Sequence, residues 1–158
     1  FGGLDLRYKR PDGLDIPINR SATGIKSFAI LYRLIQNGHL NKHTLLIVDE
    51  PESHLHPQWV VEYARLLVMI NKILGSRIMI ASHDPDMVAA IQAIAIKEQL
   101  EDTTHFYVAS KCEWINDEAD LVDGSIYQYK DLGIEIGGIF ESFNIALSRI
   151  DQYGGTSE

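Results

Sequence analysis

Thr44 to Pro57 reads TLLIVDEPESHLHP, and its second half holds most of the chemistry-bearing side chains of the chain. Two adjacent carboxylates, Asp49 and Glu50, end a run of apolar and β-branched residues. Side chains next to each other at a strand end point in different directions, so the two acids can serve separate roles. One carboxylate can hold Mg²⁺ through oxygen, the ligand that hard cation prefers. The other can orient or deprotonate a water. A second polar cluster, Ser82-His83-Asp84, ends another short apolar run, Arg77 to Ala81. In open parallel sheets, ligands sit beyond the carboxyl ends of the strands. His83 could there donate to a phosphate oxygen. The plainer alternative is that both clusters are solvated turn residues.

The elements that must position these groups follow from periodicity. Leu4–Arg10 and Leu14–Ile18 flank Pro11-Asp12-Gly13, whose turn chemistry predicts a hairpin. Apolar residues from Gly24 to Gln36 recur at helical spacing, and Asn37-Gly38 stops that helix. Thr44–Val48 is short and continuously apolar, which predicts a strand buried on both faces. Pro57 opens a helix that runs through Trp59–Leu74 to Gly75. Trp59, Tyr63, Leu66, Leu67 and Ile70 form its core stripe. Asp84 is placed to cap a helix beginning at Pro85 and reaching about Gln99. Thr104–Ser110 and Ser125–Tyr129 are expected strands, and a last helix is expected over about Gly138–Ile150. The alternation of strand and helix gives an α/β class with a mostly parallel sheet flanked by helices, plus an N-terminal β-hairpin. One domain is expected over residues 1–153, with a disordered tail over 154–158.

In their order along the chain, these motifs resemble a known family. LLIVDEP resembles the extended Walker B strand of ABC-type ATPases, and ESHLHP their D-loop region. The latter resembles the form typical of the SMC, RecF and OLD-like branch of AAA ATPases. IMIASHDPDMV is similar to that branch's switch-histidine strand, and SATGIKSF upstream resembles the signature motif. Four motifs in the family's order make the resemblance specific over about Asn19–Ala90. It implies the C-terminal lobe of a P-loop NTPase fold, with ATP and Mg²⁺ as ligands. Asp49 would help hold the metal, Glu50 would polarise the attacking water, and His83 would contact the γ-phosphate. Ser21, Ala22, Thr23, Gly24 and Lys26 would present a helix N-terminus to nucleotide bound on a second subunit. Ser53 and His54 would line the dimer seam.

Two departures stand out. Ala22 occupies the place of the signature serine, so a hydroxyl contact is missing unless Thr23 or Ser21 supplies it. No G-x-x-x-x-G-K-[S/T] occurs in the 158 residues, so the phosphate cradle and its lysine are absent here. ATP and Mg²⁺ binding is therefore expected only together with such a loop. A chain that opens on Phe1 is expected to be a trimmed or excerpted piece of something longer.

His54-x-His56 sustains a different reading, a metal-dependent hydrolase built with Asp49, Glu50, Glu52 and His83. The simpler account puts His54 at the seam and His56 before a proline-started helix. A third reading is a non-catalytic interaction lobe. Composition narrows the partners. With 22 acids against 14 Lys and Arg, the net charge is -8, which supplies no general attraction to nucleic acid or anionic membrane. No apolar run approaches the ~18 residues of a membrane helix. Cys112 is the single cysteine, so no intrachain disulfide forms, and a cytoplasmic setting is expected. The expected partners are a second copy of the chain and an effector protein, with DNA unsupported by charge. Cys112 itself and the acid-rich stretch Glu113–Asp123 are expected to be inert and solvated.

Overall fold

The computed structural model describes residues 7–111 and 127–137. The chain divides into two compact units, Phe1–Ile94 and Ala95–Glu158.

The first unit opens with a hairpin. β1 (Arg7–Lys9) and β2 (Asp15–Pro17) pair antiparallel, with Tyr8 opposite Ile16. The Arg10 amide donates to the Leu14 carbonyl at 2.9 Å, and Gly13 supplies the positive φ that closes the turn. Arg7 bridges to Asp15 across the pair at 2.8 Å.

α1 (Thr23–Gln36) follows a 3₁₀ turn at Ile18–Arg20. It stops as its sequence predicts. Gly38 takes a left-handed φ of 68°, its amide donates to the Ile35 carbonyl, and the His39 amide reaches back to the Leu34 carbonyl. That pair of bonds is a Schellman ending. α2 (Pro57–Leu74) starts at a proline and ends on Gly75, also left-handed. His56 is its N-cap, with the ring Nδ1 accepting from the Gln58 amide at 3.3 Å.

β3 (Leu45–Asp49) and β4 (Arg77–Ala81) flank α2 in sequence and pair in parallel, Leu45 opposite Arg77 and Asp49 opposite Ala81. Ser76, fully buried, fixes the entry to β4: its hydroxyl donates to the Asn41 carbonyl, and Asn71 donates to the Ser76 carbonyl. α3 (Pro85–Lys97) leaves the end of β4 under an Asp84 cap, whose Oδ1 accepts from the Met87 amide at 2.9 Å.

The core of this unit lies mainly on one face of α2. Val60, Tyr63, Ala64, Leu67, Val68 and Ile70 are all buried. Phe28 of α1 meets Tyr63 and Trp59 edge-on, at centroid separations of 5.0 and 5.7 Å. Trp59, expected within the core stripe, is 56% exposed, because Phe28 covers only part of its ring.

β3 also departs from expectation. Its side chains alternate between exposed and half-buried, rather than being covered on both faces. Leu45, Ile47 and Met79 share one uncovered face with Asp49 and Ala81. An apolar run shows which side chains tolerate burial, whereas coverage depends on neighbouring elements, here α2 against β4.

In the second unit, β5 (Tyr107–Lys111) and β6 (Tyr127–Asp131) pair antiparallel, Tyr107 opposite Asp131. Among the described residues, three two-stranded sheets form, and one of them is parallel. Of the mostly parallel sheet expected from alternating strand and helix, the described residues hold the β3–β4 pair, while β5 and β6 pair antiparallel. The expected last helix, the 154–158 tail, Cys112 and the Glu113–Asp123 stretch lie outside the described residues.

Asp131 organises the end of the β5–β6 pair. The Gly133 amide donates to its Oδ1 at 2.8 Å, and His105 Nδ1 lies 3.2 Å from its Oδ2. The Gly133 bond, followed by His105, holds the Asp131 carboxyl below its ordinary range, and the Asp131 charge pushes the Tyr107 hydroxyl up.

Two outcomes follow from this packing. Leu67 is 1% exposed, so Leu67→Ala is expected to lose about 2–5 kcal/mol in urea denaturation. The depressed Asp131 carboxyl stabilises the fold above its unfolded range, and that support goes as pH falls through its folded value. The raised Tyr107 hydroxyl adds support below its ordinary range, lost as pH rises through its folded value. Amide exchange of β5 and β6, corrected for intrinsic rates, is expected to be slowest between those limits and faster beyond either. Asp131→Asn should abolish the acid-side change.

Candidate functional site

The parallel pairing of β3 and β4 brings two strand ends together. Asp49 sits opposite Ala81, and the Glu50 amide donates to the Ala81 carbonyl at 2.8 Å, one step beyond the last paired residues. The chain then turns sharply. Glu50 has φ 43° and His54 φ 66°, both left-handed and both without the freedom of glycine. Such positions cost about 1–3 kcal/mol each and persist where the surroundings over-determine them, often at functional sites. Backbone bonds from Ser53 to Glu50 and from Leu55 to Glu52 close the turn.

The reversal at Glu50 turns its carboxylate toward the second strand end. Its Oε1 lies 3.4 Å from His83 Nδ1, and its Oε2 accepts from the Ser53 hydroxyl at 3.2 Å. His83 is 74% exposed at its side chain, so its Nε2 has access to a ligand while Nδ1 faces carboxylate. Asp49 ends the strand on its exposed face. Two of the three groups expected to act together, Glu50 and His83, are therefore in contact, with Asp49 adjacent in the chain.

The expected signature segment packs against the same turn. Gly24 is buried at the start of α1, and a Cβ there would stand 2.7 Å from Leu55 Cδ2 and 3.2 Å from the His54 carbonyl oxygen. The glycine thus lets the helix N-terminus lie directly on the 50–55 turn. Ala22 is the N-cap and provides no side-chain acceptor. The Ser21 hydroxyl donates to the Ile18 carbonyl at 2.7 Å, back into the preceding 3₁₀ turn. The first-turn amides of α1 are therefore not capped by a side chain, which leaves a helix end able to receive an anion. Thr23 is exposed and Lys26 half-buried in that first turn.

Ser53 and His54 occupy the turn itself. Ser53 bonds within its own chain to Glu50, while the exposed His54 carries its carbonyl against Gly24. His56 serves as a helix cap, as the simpler account of that histidine holds. Among the described residues, no group of three or more His, Cys, Asp and Glu side chains is arranged to hold a metal ion, so His54, His56, Asp49 and His83 do not gather into the hydrolase centre.

Glu52 is the residue whose importance the sequence understates. It is buried, with its carboxylate running beneath the turn to the end of β4. Its Oε1 accepts from the Ser82 hydroxyl at 2.8 Å and from the His83 amide at 3.3 Å. An acid one residue past a proline reads as a surface turn residue, and no local pattern in the sequence marks this one for burial.

A strand-end acid thus meets a histidine just beyond the next parallel strand, and the start of α1 rests on the turn between Glu50 and Leu55. Residues 6–89 match the family model described as "AAA domain, putative AbiEii toxin, Type IV TA system", and the chain belongs to that family. It is also 50% identical over 44 residues to two proteins of Clostridium perfringens, the energy-coupling factor transporter ATP-binding proteins EcfA2 of strain SM101 and EcfA3 of strain ATCC 13124. The matched stretch covers 28% of this chain and spans 15% of the length of each relative.

The seat of Gly24 supplies a direct test. Gly24→Ala forces its Cβ onto Leu55 and the His54 carbonyl and is expected to cost about 1–3 kcal/mol, read as a lowered midpoint in thermal or urea denaturation. Thr23→Ala, at an exposed neighbouring position, is expected to change that midpoint by less than about 0.5 kcal/mol.

Proposed function

We propose that this chain forms part of an ATP-hydrolysing, dimerising ABC-type ATPase of the SMC, RecF and OLD-like branch. The observation that carries the reading is the approach of Glu50 Oε1 to His83 Nδ1, 3.4 Å, across the ends of two parallel strands. An exposed carboxylate beside an exposed imidazole can hold a water and a phosphate oxygen at once.

Each residue then has a task. Glu50 orients the attacking water and accepts its proton. Ser53 and His83 hold that carboxylate from two sides. The imidazole keeps Nε2 outward for a γ-phosphate oxygen. Asp49, with exposed carboxylate oxygens at the strand end, suits Mg²⁺, which prefers oxygen ligands and neutralises phosphate charge when bound. The uncapped start of α1, from Ser21 through Gly24 with Lys26 behind it, faces the nucleotide of a second copy, and Ser53 and His54 lie along the seam between copies. The sequence has no phosphate loop, so the cradle and its lysine come from another part of the enzyme. Opening and closing of the dimer drives the output, either DNA processing or a defence or toxin module. The matched family's description supports the latter.

The test is Glu50→Gln in a polypeptide that carries the phosphate loop. ATP turnover is expected to fall by about a hundredfold or more, the scale of losing a positioned general base, while ATP binding by equilibrium titration is retained. Turnover at the parental rate would remove Glu50 from the mechanism.

A further inference from the structure

The buried carboxylate of Glu52 lies under the proposed site and has no task in the chemistry above. We infer that Glu52 is a positioning residue: it ties the 50–55 turn to the end of β4 and so holds the His83 imidazole against Glu50. The inference rests on the ATPase reading for its kinetic consequence and on geometry alone for its structural one.

The geometry is a chain of short contacts. Glu52 Oε1 accepts from the Ser82 hydroxyl at 2.8 Å and from the His83 amide at 3.3 Å. The Ser82 oxygen in turn accepts from the Asp84 amide at 3.1 Å, and Asp84 caps α3 through the Met87 amide at 2.9 Å. One carboxylate oxygen thus governs three successive residues, Ser82, His83 and Asp84, at the point where β4 becomes α3. The same oxygen lies 3.7 Å from His83 Nδ1, beside the 3.4 Å approach of Glu50. Two carboxylates on one side of the ring favour a hydrogen on Nδ1, and Nε2, the outward atom, donates to a phosphate oxygen when it carries hydrogen as well. A carboxylate orienting the far nitrogen of a working histidine is a recurrent arrangement.

Burial makes the device specific. The Glu52 side chain is 7% exposed, against 53% for Glu50 and 74% for His83. Its second oxygen, Oε2, is buried without a hydrogen-bond partner among the described residues. Stability alone gives no reason to bury a carboxylate with half its acceptor capacity unused, since such groups are costly. A fixed acceptor beneath an exposed imidazole gives one.

Two substitutions separate positioning from mere packing. Glu52→Gln keeps a carbonyl oxygen able to accept from both Ser82 and the His83 amide, and Glu52→Ala removes it. In the 158-residue chain, the imidazole nitrogen shifts of His83, read by NMR, are expected to keep the parental tautomer in E52Q and to move toward a free-imidazole mixture in E52A. In a polypeptide carrying the phosphate loop, E52A is expected to lower kcat for ATP by about tenfold to a hundredfold with KM within about twofold, and E52Q to restore most of the loss. Parental His83 signals in folded E52A, or an E52Q as impaired as E52A, would overturn the assignment. If E52A fails to fold, Ser82→Ala cuts one link of the chain and is expected to shift the same signals by less; no shift there also overturns it. Absence of ATP turnover in the parent polypeptide removes the ATPase reading, and the imidazole signals still decide the role of Glu52.

Discussion

The parallel register of β3 with β4 is the constraint on which the site depends. It sets Asp49 opposite Ala81, so the chain segments that leave the two strands emerge side by side. Residues thirty or more positions apart, Glu50 and Glu52 on one turn and Ser82 and His83 on the other, become neighbours for that reason. A slip of β4 by one residue would carry Met79 to the opposite face from Ile47 and shift the groups at its end along with it. The register is secured at the other end by Ser76 and by the Arg77 amide, which donates to the Thr44 carbonyl at 2.9 Å.

Around this pairing the structure combines firm and costly elements. The firm ones are α2, with its proline start, His56 cap, buried stripe and left-handed Gly75, and the Schellman ending of α1. The costly ones cluster in five residues: two left-handed non-glycine positions, Glu50 and His54, and a buried carboxylate between them. Local rules of propensity and burial fail there together, which is the pattern expected where chemistry competes with stability. Gly24 belongs to the same compromise, since its missing side chain lets α1 rest on the strained turn.

Much of this was legible in the sequence because it is local. Proline before a helical stripe, glycine after it, aspartate one residue before Pro85, and Pro-Asp-Gly between short strands each act through bonds to residues a few positions away, and each element forms at or near its expected bounds. The candidate residues were legible for a related reason. Strand ends concentrate polar groups, and two polar clusters after two apolar runs mark them without knowledge of the fold. Less legible were coverage and pairing. Trp59 and the outer face of β3 and β4 have core composition yet stand exposed, and the antiparallel pairing of β5 with β6 has no signal in either strand's composition.

The sequence by itself determined the helices, their ends, the two short strands and the set of acids and histidines available at their tips, because hydrophobic period and capping are properties of neighbouring residues. Only the tertiary structure decided which of those groups meet. Glu50 rather than Asp49 faces His83, because a left-handed turn redirects the chain at that residue. Glu52 lies beneath both, because the turn folds its carboxylate inward to the Ser82 hydroxyl. Direction and burial at a turn arise from contacts distant in sequence, and no local pattern encodes them.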